Sequence, residues 1–230
     1  MTEAVFVTGT DTGVGKSLVA AALLVAAGAR GARTVGVKPL AAGAVRAAHG
    51  LRNEDAELLR RAMNTRLPYH EVNPVVLEPP IAPHLALAAA GLHLTAEELR
   101  TRCAPALRRA CDFVVVEGAG GWRVPLGGAE TMADFARLLG FPVVLVVGMR
   151  LGCLNHALLS AAAIRADGLR LAGWIANVID PDMACLEQNV ATLEALLAAP
   201  RLGTLPWRPG IVPEFAATLL DLRPLLTAVP

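Results

Sequence analysis

The stretch Gly9-Thr10-Asp11-Thr12-Gly13-Val14-Gly15-Lys16-Ser17 limits the folds open to this chain more than any other feature. An apolar run, Val5-Phe6-Val7, precedes it, and an alanine- and leucine-rich run over residues 18–29 follows. A buried strand, a glycine loop and a helix in that order form an anion cradle. The glycines let backbone N–H groups turn inward without Cβ clashes, and the helix N-terminus adds unpaired donors and a partial positive charge. In such a loop the lysine reaches the β- and γ-phosphates of a nucleotide and the next hydroxyl ligates Mg²⁺, roles that fall to Lys16 and Ser17. The spacing is one residue longer than the usual form, with Thr10 where the first glycine is expected and Gly9 just before it. The alternative is an ordinary strand-to-helix turn, but strand, loop, Gly-Lys-Ser and helix all fall in order.

The 230 residues suit one α/β domain, 1–230, with no linker or internal repeat to divide it. Hydrophobic residues make up 54% of the chain, enough for a sizeable core. The formal net charge is +1 with no basic block, which gives nucleic acid no evident purchase. The run 18–29 is too short to span a bilayer and reads as a helix buried against a sheet. Met1-Thr2-Glu3 lacks the basic start of a signal peptide, which points to a cytoplasmic protein without a membrane partner. Cys103, Cys111, Cys153 and Cys185 make no close pair and read as reduced, small core residues.

Of the 21 basic residues only Lys16 and Lys38 are lysine. Arginine serves wherever a solvated positive charge is wanted, whereas a lysine amine is compact and can lose a proton when buried. Lys38 is therefore a candidate for chemistry, the alternative being a surface lysine retained by chance. Residues 4–8 and 34–37 read as strands and 16–29 as a helix. Ligands gather beyond the carboxyl ends of strands in an open parallel sheet, so both lysines can share a pocket.

Further along, residues 41–52 read as a loop, and Asn53 caps a helix over 54–63. Asp55, in its first turn, is either a site residue or a plain helix-dipole carboxylate. Residues 68–83 are proline-rich and read as irregular, with His84 a structural histidine. Thr95-Ala96-Glu97-Glu98 is a capping box opening a helix to about 110. The run Phe113-Val114-Val115-Val116-Glu117 reads as a central parallel strand tipped by an acid, a place from which an acid binds Mg²⁺ directly or through water. Gly118, Ala119 and Gly120 after it allow phosphates to approach closely. Strands at 143–147, 171–177 and 202–205 alternate with helices at 155–165, 183–198 and 213–222. The alternation gives an α/β fold with a mainly parallel sheet and right-handed crossovers.

Together, the first loop, Lys38-Pro39, Asn53-Glu54-Asp55, Val116-Glu117-Gly118-Ala119-Gly120-Gly121-Trp122 and Leu151-Gly152-Cys153-Leu154-Asn155-His156 resemble dethiobiotin synthetase, to Pro206-Trp207 and so over nearly the full chain. The longer phosphate loop is itself that family's form. The resemblance implies a P-loop NTPase-like three-layer fold with helices on both faces of the sheet. It also implies an ATP-dependent ring closure in biotin synthesis. One amine of 7,8-diaminopelargonic acid takes up CO₂, the carbamate attacks the γ-phosphate of ATP, and the second amine closes the ureido ring, releasing ADP and phosphate.

By the same resemblance, Gly13, Val14, Gly15, Lys16, Ser17 and Leu18 wrap the phosphates and Lys38 sits by the carbamate. Ser17, Asp55 and Glu117 gather Mg²⁺. Asn177, Pro206, Trp207 and Arg208 meet adenine, with Glu214 at that end. Thr12 contacts the diamine. Gly152, Cys153, Leu154 and Asn155 hold its carboxylate from a partner subunit, which implies a homodimer, and Asn155 is also a candidate N-cap. Ala42 stands where the family carries a hydroxyl residue near the substrate, so one hydrogen bond worth roughly 0.5–1.5 kcal/mol is absent there unless replaced.

Three rival readings remain. A partitioning-type ATPase switch shares the fold but carries a second lysine early in the loop, and none precedes Lys16 here. An amidating ligase of the cobyrinic acid type needs a further glutamine-hydrolysing domain. A nucleotide-binding module without chemistry would leave Lys38 and Glu117 dispensable.

Overall fold

In the computed structural model, which describes residues 2–226, six strands form one parallel sheet: β1 (Glu3–Gly9), β2 (Thr34–Val37), β3 (Phe113–Glu117), β4 (Val143–Met149), β5 (Leu171–Val178) and β6 (Arg201–Leu205). Their spatial order is β6-β5-β4-β1-β3-β2, every pairing parallel. The chain passes from β1 to the edge strand β2, returns to β3 between them, and then crosses to the other side of β1 for β4, β5 and β6, so the crevice at the carboxyl end of β1 is the place where such sheets receive ligands. All but the first two residues of β1, and every residue of β2 to β5, are buried, as parallel strands covered on both faces require.

The register explains why both faces are covered. Val5, Val115 and Gly36 align across β1, β3 and β2, and a Cβ on Gly36 would lie 2.8 Å from Leu24 of helix α1 (Lys16–Gly28). Phe6, one residue on, points to the opposite face and meets Phe135 of an eight-residue helix, Met132–Leu139, edge-on at 6.1 Å. Helices therefore cover both faces, as expected from sequence. Helix α1 is apolar on nearly every side because it packs against the sheet, against helix α2 (Glu54–Ala62) and against the short helix Pro213–Ala217.

Several expectations are corrected. Residues 41–52 are not all loop: Val45–Ala47 and Gly50–Arg52 pair as an exposed antiparallel hairpin, which no apolar alternation announces. The proline-rich stretch holds a helical turn, Tyr69–Val72, and a short strand, Val75–Val76, paired in parallel with Leu40–Ala41. Helix α3 (Ala96–Leu107) has the expected capping box, Thr95 with Glu98, but stops short of 110. Helix α4, the Met132–Leu139 segment, is an element that the sequence does not lead one to expect. Helix α5 (Cys153–Ala166) is capped by Gly152, at φ 94°, and not by Asn155, because only a glycine takes that left-handed turn without strain. Helix α6 (Leu186–Leu196) begins three residues later than expected, after a turn led by Asp180, whose carboxylate accepts from the Asp182 N–H. The last helix ends at Ala217 because the chain folds back: Leu220 bridges to Gly203 and the Asp221 N–H donates to the Leu202 carbonyl. All four cysteines are free, with Cys103, Cys111 and Cys153 buried and Cys185 exposed. Among the described residues no helix is long and apolar enough to cross a membrane.

Candidate functional site

The glycine loop sits at the carboxyl end of β1. Gly13 and Gly15 have φ of 74° and 89°, in the left-handed region. A Cβ at Gly15 would also run into Asn177 Nδ2 and displace that amide. That amide donates to the Val14 carbonyl at 2.8 Å, so Asn177, near the end of β5, braces the loop from behind. Lys16 folds over the loop and donates to the Asp11 carbonyl at 2.8 Å. Only 7% of Lys16 is exposed, and burial, reinforced by the Lys38 charge, lowers its amine to about 8. The Asp11 carboxylate accepts from the Thr12 N–H at 2.7 Å and pairs with Arg150 at 2.6 Å.

Lys38, just past the end of β2, lies between two carboxylates. Its Nζ is 2.5 Å from Glu117 Oε1 and 3.0 Å from Asp55 Oδ2, and it also donates to the Gly118 carbonyl. Glu117 ends β3 and is wholly buried; Asp55 projects from the first turn of α2, which Asn53 caps by accepting from the Asp55 and Ala56 N–H groups. Ser17 Oγ donates to Glu117 Oε1 at 2.8 Å. Burial alone would push the Lys38 amine down, but Glu117 and Asp55 outweigh it and hold the amine above its ordinary value. Burial tends to raise the Asp55 carboxyl, and the Lys38 charge with the Ser17 hydrogen bond overcomes it, so that carboxyl lies below the usual range. Burial pushes the Glu117 carboxyl up, with Lys38 working against it.

These groups share one cavity of about 730 Å³. Of the residues expected from sequence, Thr12, Gly13, Gly15, Lys16, Ser17, Lys38, Ala42, Asp55, Glu117, Ala119 and Gly120 line it. Val14 is buried in the core, Leu18 packs partly against it, and Gly118 lies behind Lys38. Gly152, Cys153, Leu154 and Asn155 at the start of α5, and Pro206, Trp207, Arg208 and Glu214 after β6, are not among its lining. They lie past the carboxyl ends of β4 and β6, on the same edge of the sheet. Trp207 is 51% exposed, and the Arg208 guanidinium lies over the Phe215 ring at 4.6 Å. Sequence reasoning missed the cavity's apolar wall, Leu40 and Ala41, residues 80–83, Val124 and Pro125. The prolines at 79, 80 and 83 are its one signal; they read as irregular backbone, where they in fact stiffen a rim.

A parallel sheet with this order, a glycine loop at the end of its first strand and an acid-tipped strand beside it define a P-loop nucleotide-binding protein. Solved structures agree in fold. The septum site-determining protein MinD of Pyrococcus horikoshii, complexed with Mg-ADP, matches over 91% of this chain and 83% of its own, at TM-score 0.56 and 18% identity. MinD of Pyrococcus furiosus matches at TM-score 0.53 and 22% identity, over 91% of this chain and 85% of its own. Residues 3–214 match the family described as AAA domain. The ATP-dependent dethiobiotin synthetase BioD of Pseudomonas paraeruginosa is 54% identical over 96% of this chain and 97% of its own length. That of Cellvibrio japonicus is 54% identical over 98% and 99%. The chain belongs to the ATP-dependent dethiobiotin synthetase family.

Proposed function

We propose that this chain is an ATP-dependent cyclo-ligase of biotin biosynthesis that carboxylates 7,8-diaminopelargonic acid with CO₂ and closes the ureido ring of dethiobiotin. The observation that carries the residue roles is the cavity in which Lys16, Lys38, Asp55, Glu117 and Ser17 converge. One substrate amine adds to CO₂ and loses a proton, giving a carbamate. A carbamate oxygen then bonds to the γ-phosphorus as the bond to ADP breaks, which yields a carbamic–phosphoric anhydride. The second amine attacks the carbamoyl carbon, and phosphate leaves with the bonding pair. Bringing two anions together in a water-poor site is strongly repulsive. Lys16 holds the phosphates and Lys38 holds the carbamate; both stabilise charge on the transferring phosphoryl group. Thr12 contacts the diamine, and the wall of Leu40, Ile81 and Val124 receives its hydrocarbon chain. Asn177, Trp207 and Arg208, with Glu214 nearby, form the adenine end.

The donor set suits Mg²⁺, a hard cation that takes oxygen ligands. Glu117 Oε2 is buried without a hydrogen-bond partner among the described residues, and Ser17 Oγ and an Asp55 carboxylate oxygen lie around the same Lys38–Glu117 contact. Ser17, Asp55 and Glu117 would hold the ion, which when bound supplies charge stabilisation to the triphosphate. Two lysines and two carboxylates cancel in formal charge, so a divalent cation tips the cavity toward an anionic nucleotide. We further infer that the chain acts as one cytoplasmic domain and pairs with a second copy, whose Gly152–Asn155 segment holds the substrate carboxylate on free helix N–H groups. Leu151, 95% exposed beside that segment, supports such a covering surface.

The test is ATP hydrolysis with and without diaminopelargonic acid and bicarbonate. Strong stimulation with dethiobiotin as product is the expected result. Stimulation by DNA or by membranes instead would place the chain among the nucleotide switches.

A further inference from the structure

Behind the cavity runs a polar chain that the sequence did not announce. The Tyr69 hydroxyl accepts from the Asn53 N–H at 2.8 Å and donates to Asn73 Oδ1 at 3.0 Å. Asn73, 2% exposed, spends its amide on the Lys38 carbonyl at 2.8 Å and the Val75 carbonyl at 3.0 Å. The Lys38 N–H in turn donates to the Val72 carbonyl at 2.7 Å. At the other end, Asn53 Oδ1 accepts from the Asp55 N–H at 3.1 Å, and its amide donates to the Ala42 carbonyl at 3.3 Å.

Lys38 and Asp55 reach the cavity from different elements, one past the end of β2 and one on α2. Nothing in the sheet register relates them. Besides the ion pair between their own side chains, the Asn53–Ala42 contact and the packing of α2 on β2, the helical turn Tyr69–Val72 and Asn73 bridge them. The Tyr69 hydroxyl, through the Asn73 side chain, links the backbone that carries the lysine to the cap that carries the carboxylate. The Tyr69 ring is itself held in place, because the Arg52 guanidinium lies over it at 4.2 Å. Buried polar groups of this kind are costly when half satisfied, and when complete they fix one arrangement. Groups that orient a reacting side chain from behind commonly change turnover ten- to a hundredfold, about the cost of an ångström of misplacement.

We propose that Tyr69 and Asn73 are positioning residues that fix the distance between Lys38 and Asp55 and so set the rate of the phosphoryl-transfer half of the reaction. The proposal rests on the roles assigned above to Lys38 and Asp55. Neither Tyr69 nor Asn73 lines the cavity.

Tyr69→Phe removes only the hydroxyl and keeps the ring. Because the chain has two lysines, protein labelled with ¹³C at the lysine ε-carbon gives two methylene signals, assigned by Lys38→Arg. A pinned methylene shows two distinct proton shifts, and a loosened one shows their average. At one neutral pH, Tyr69→Phe is expected to lower kcat about tenfold, to leave KM for ATP within twofold, and to merge the Lys38 pair while the Lys16 pair stays as it was. Asn73→Asp, which removes both amide donors, should reproduce this signature. Thr95→Ala, which removes the distant cap of α3, serves as the control for mere loss of stability: a lower melting temperature with kcat and both lysine signals unchanged. An unchanged kcat in Tyr69→Phe, or a lower kcat with the Lys38 pair intact, overturns the proposal. If the unaltered protein makes no dethiobiotin while Tyr69→Phe still merges the Lys38 pair, the positioning link stands and the reaction assigned to the site falls.

Discussion

Lys38 and Asn155 both stand past the carboxyl end of a strand in the same sheet, yet their surroundings have little in common. Lys38 is 4% exposed, ion-paired to two carboxylates and held by its backbone on both sides. Asn155 is exposed on the first turn of α5, just after Leu151, which is almost wholly in solvent. A buried charge must be neutralised and hydrogen-bonded by its own chain before any ligand arrives, or the fold carries the desolvation cost. An exposed amide carries no such demand. The inner end of the site is therefore built in advance, whereas the outer end is available to a second copy or to substrate. Variants at the inner end should act on rate, and variants at the outer end on substrate affinity.

Lys38→Ala gives the largest expected effect. Removing a preorganised cation from the transferring phosphoryl group should lower turnover about a thousandfold. ATP affinity should stay within a few fold, because Lys16 and the loop amides are untouched. Steady-state rates with nucleotide binding by calorimetry check this. Near-normal ring closure would end the distinction between a built inner end and an adaptable outer one.

Acidity tests the other lysine of the inner end. Lys16 in the ligand-free chain is lowered by burial to about 8, from 10.5. Below about pH 8 the amine is charged folded and unfolded alike. Between about 8 and 10.5 the unfolded chain holds more of the proton than the fold does, so the Lys16 contribution to stability rises with pH across that window; below 8, where the fold must bury a charged amine, it is constant and least favourable. Lys38 sits above its ordinary value and opposes this only at still higher pH. ATP wants Lys16 charged, so its affinity should fall about tenfold per pH unit above 8 while the empty protein does not lose stability through Lys16. Calorimetry and thermal melts over pH 7 to 10 read both; parallel losses of affinity and stability would show that Lys16 is not the group involved.

How much of this was legible in the sequence follows the same division. The phosphate loop, the Glu117 strand and the Asn53 cap each carry their signal within a few neighbouring residues, and each lies where expected. Lys38 stands out by composition, as one of two lysines among arginines. What stayed hidden is assembled from distant segments. The apolar wall joins residues 40–41, 80–83 and 124–125, none with a pattern of its own. The Tyr69–Asn73 bridge draws on three separate stretches, residues 38–42, 53–55 and 69–75, joined through backbone groups and the uncharged side chains of Asn53, Tyr69 and Asn73. Asn155 reads as a cap because asparagine commonly is one, whereas the left-handed Gly152 takes that place.

Asn155→Ala probes the outer end directly. A hydrogen bond to a charged group is worth about 1.5–3 kcal/mol, so KM for the diamine should rise about tenfold or more. KM for ATP and the melting temperature should not move, since the side chain is exposed and contributes nothing to the core. An unchanged diamine KM would remove the Asn155 side chain from the substrate and leave any carboxylate contact to the backbone N–H groups of α5.

Ala42→Ser has the smallest effect, and it asks whether the boundary between the two ends is sharp. Ala42 lines the cavity, and its carbonyl is held by the Asn53 amide, so its backbone belongs to the built end. Its methyl group offers no hydrogen bond to a substrate. A serine there adds one atom to a half-buried position and needs no backbone change. One neutral hydrogen bond contributes about 0.5–1.5 kcal/mol, which sets the expected gain at a two- to tenfold lower KM for the diamine with kcat unchanged. A lower kcat instead would mean that the new hydroxyl competes for Lys38 or Asp55, and that position 42 answers to the rigid network behind it and not to the substrate in front.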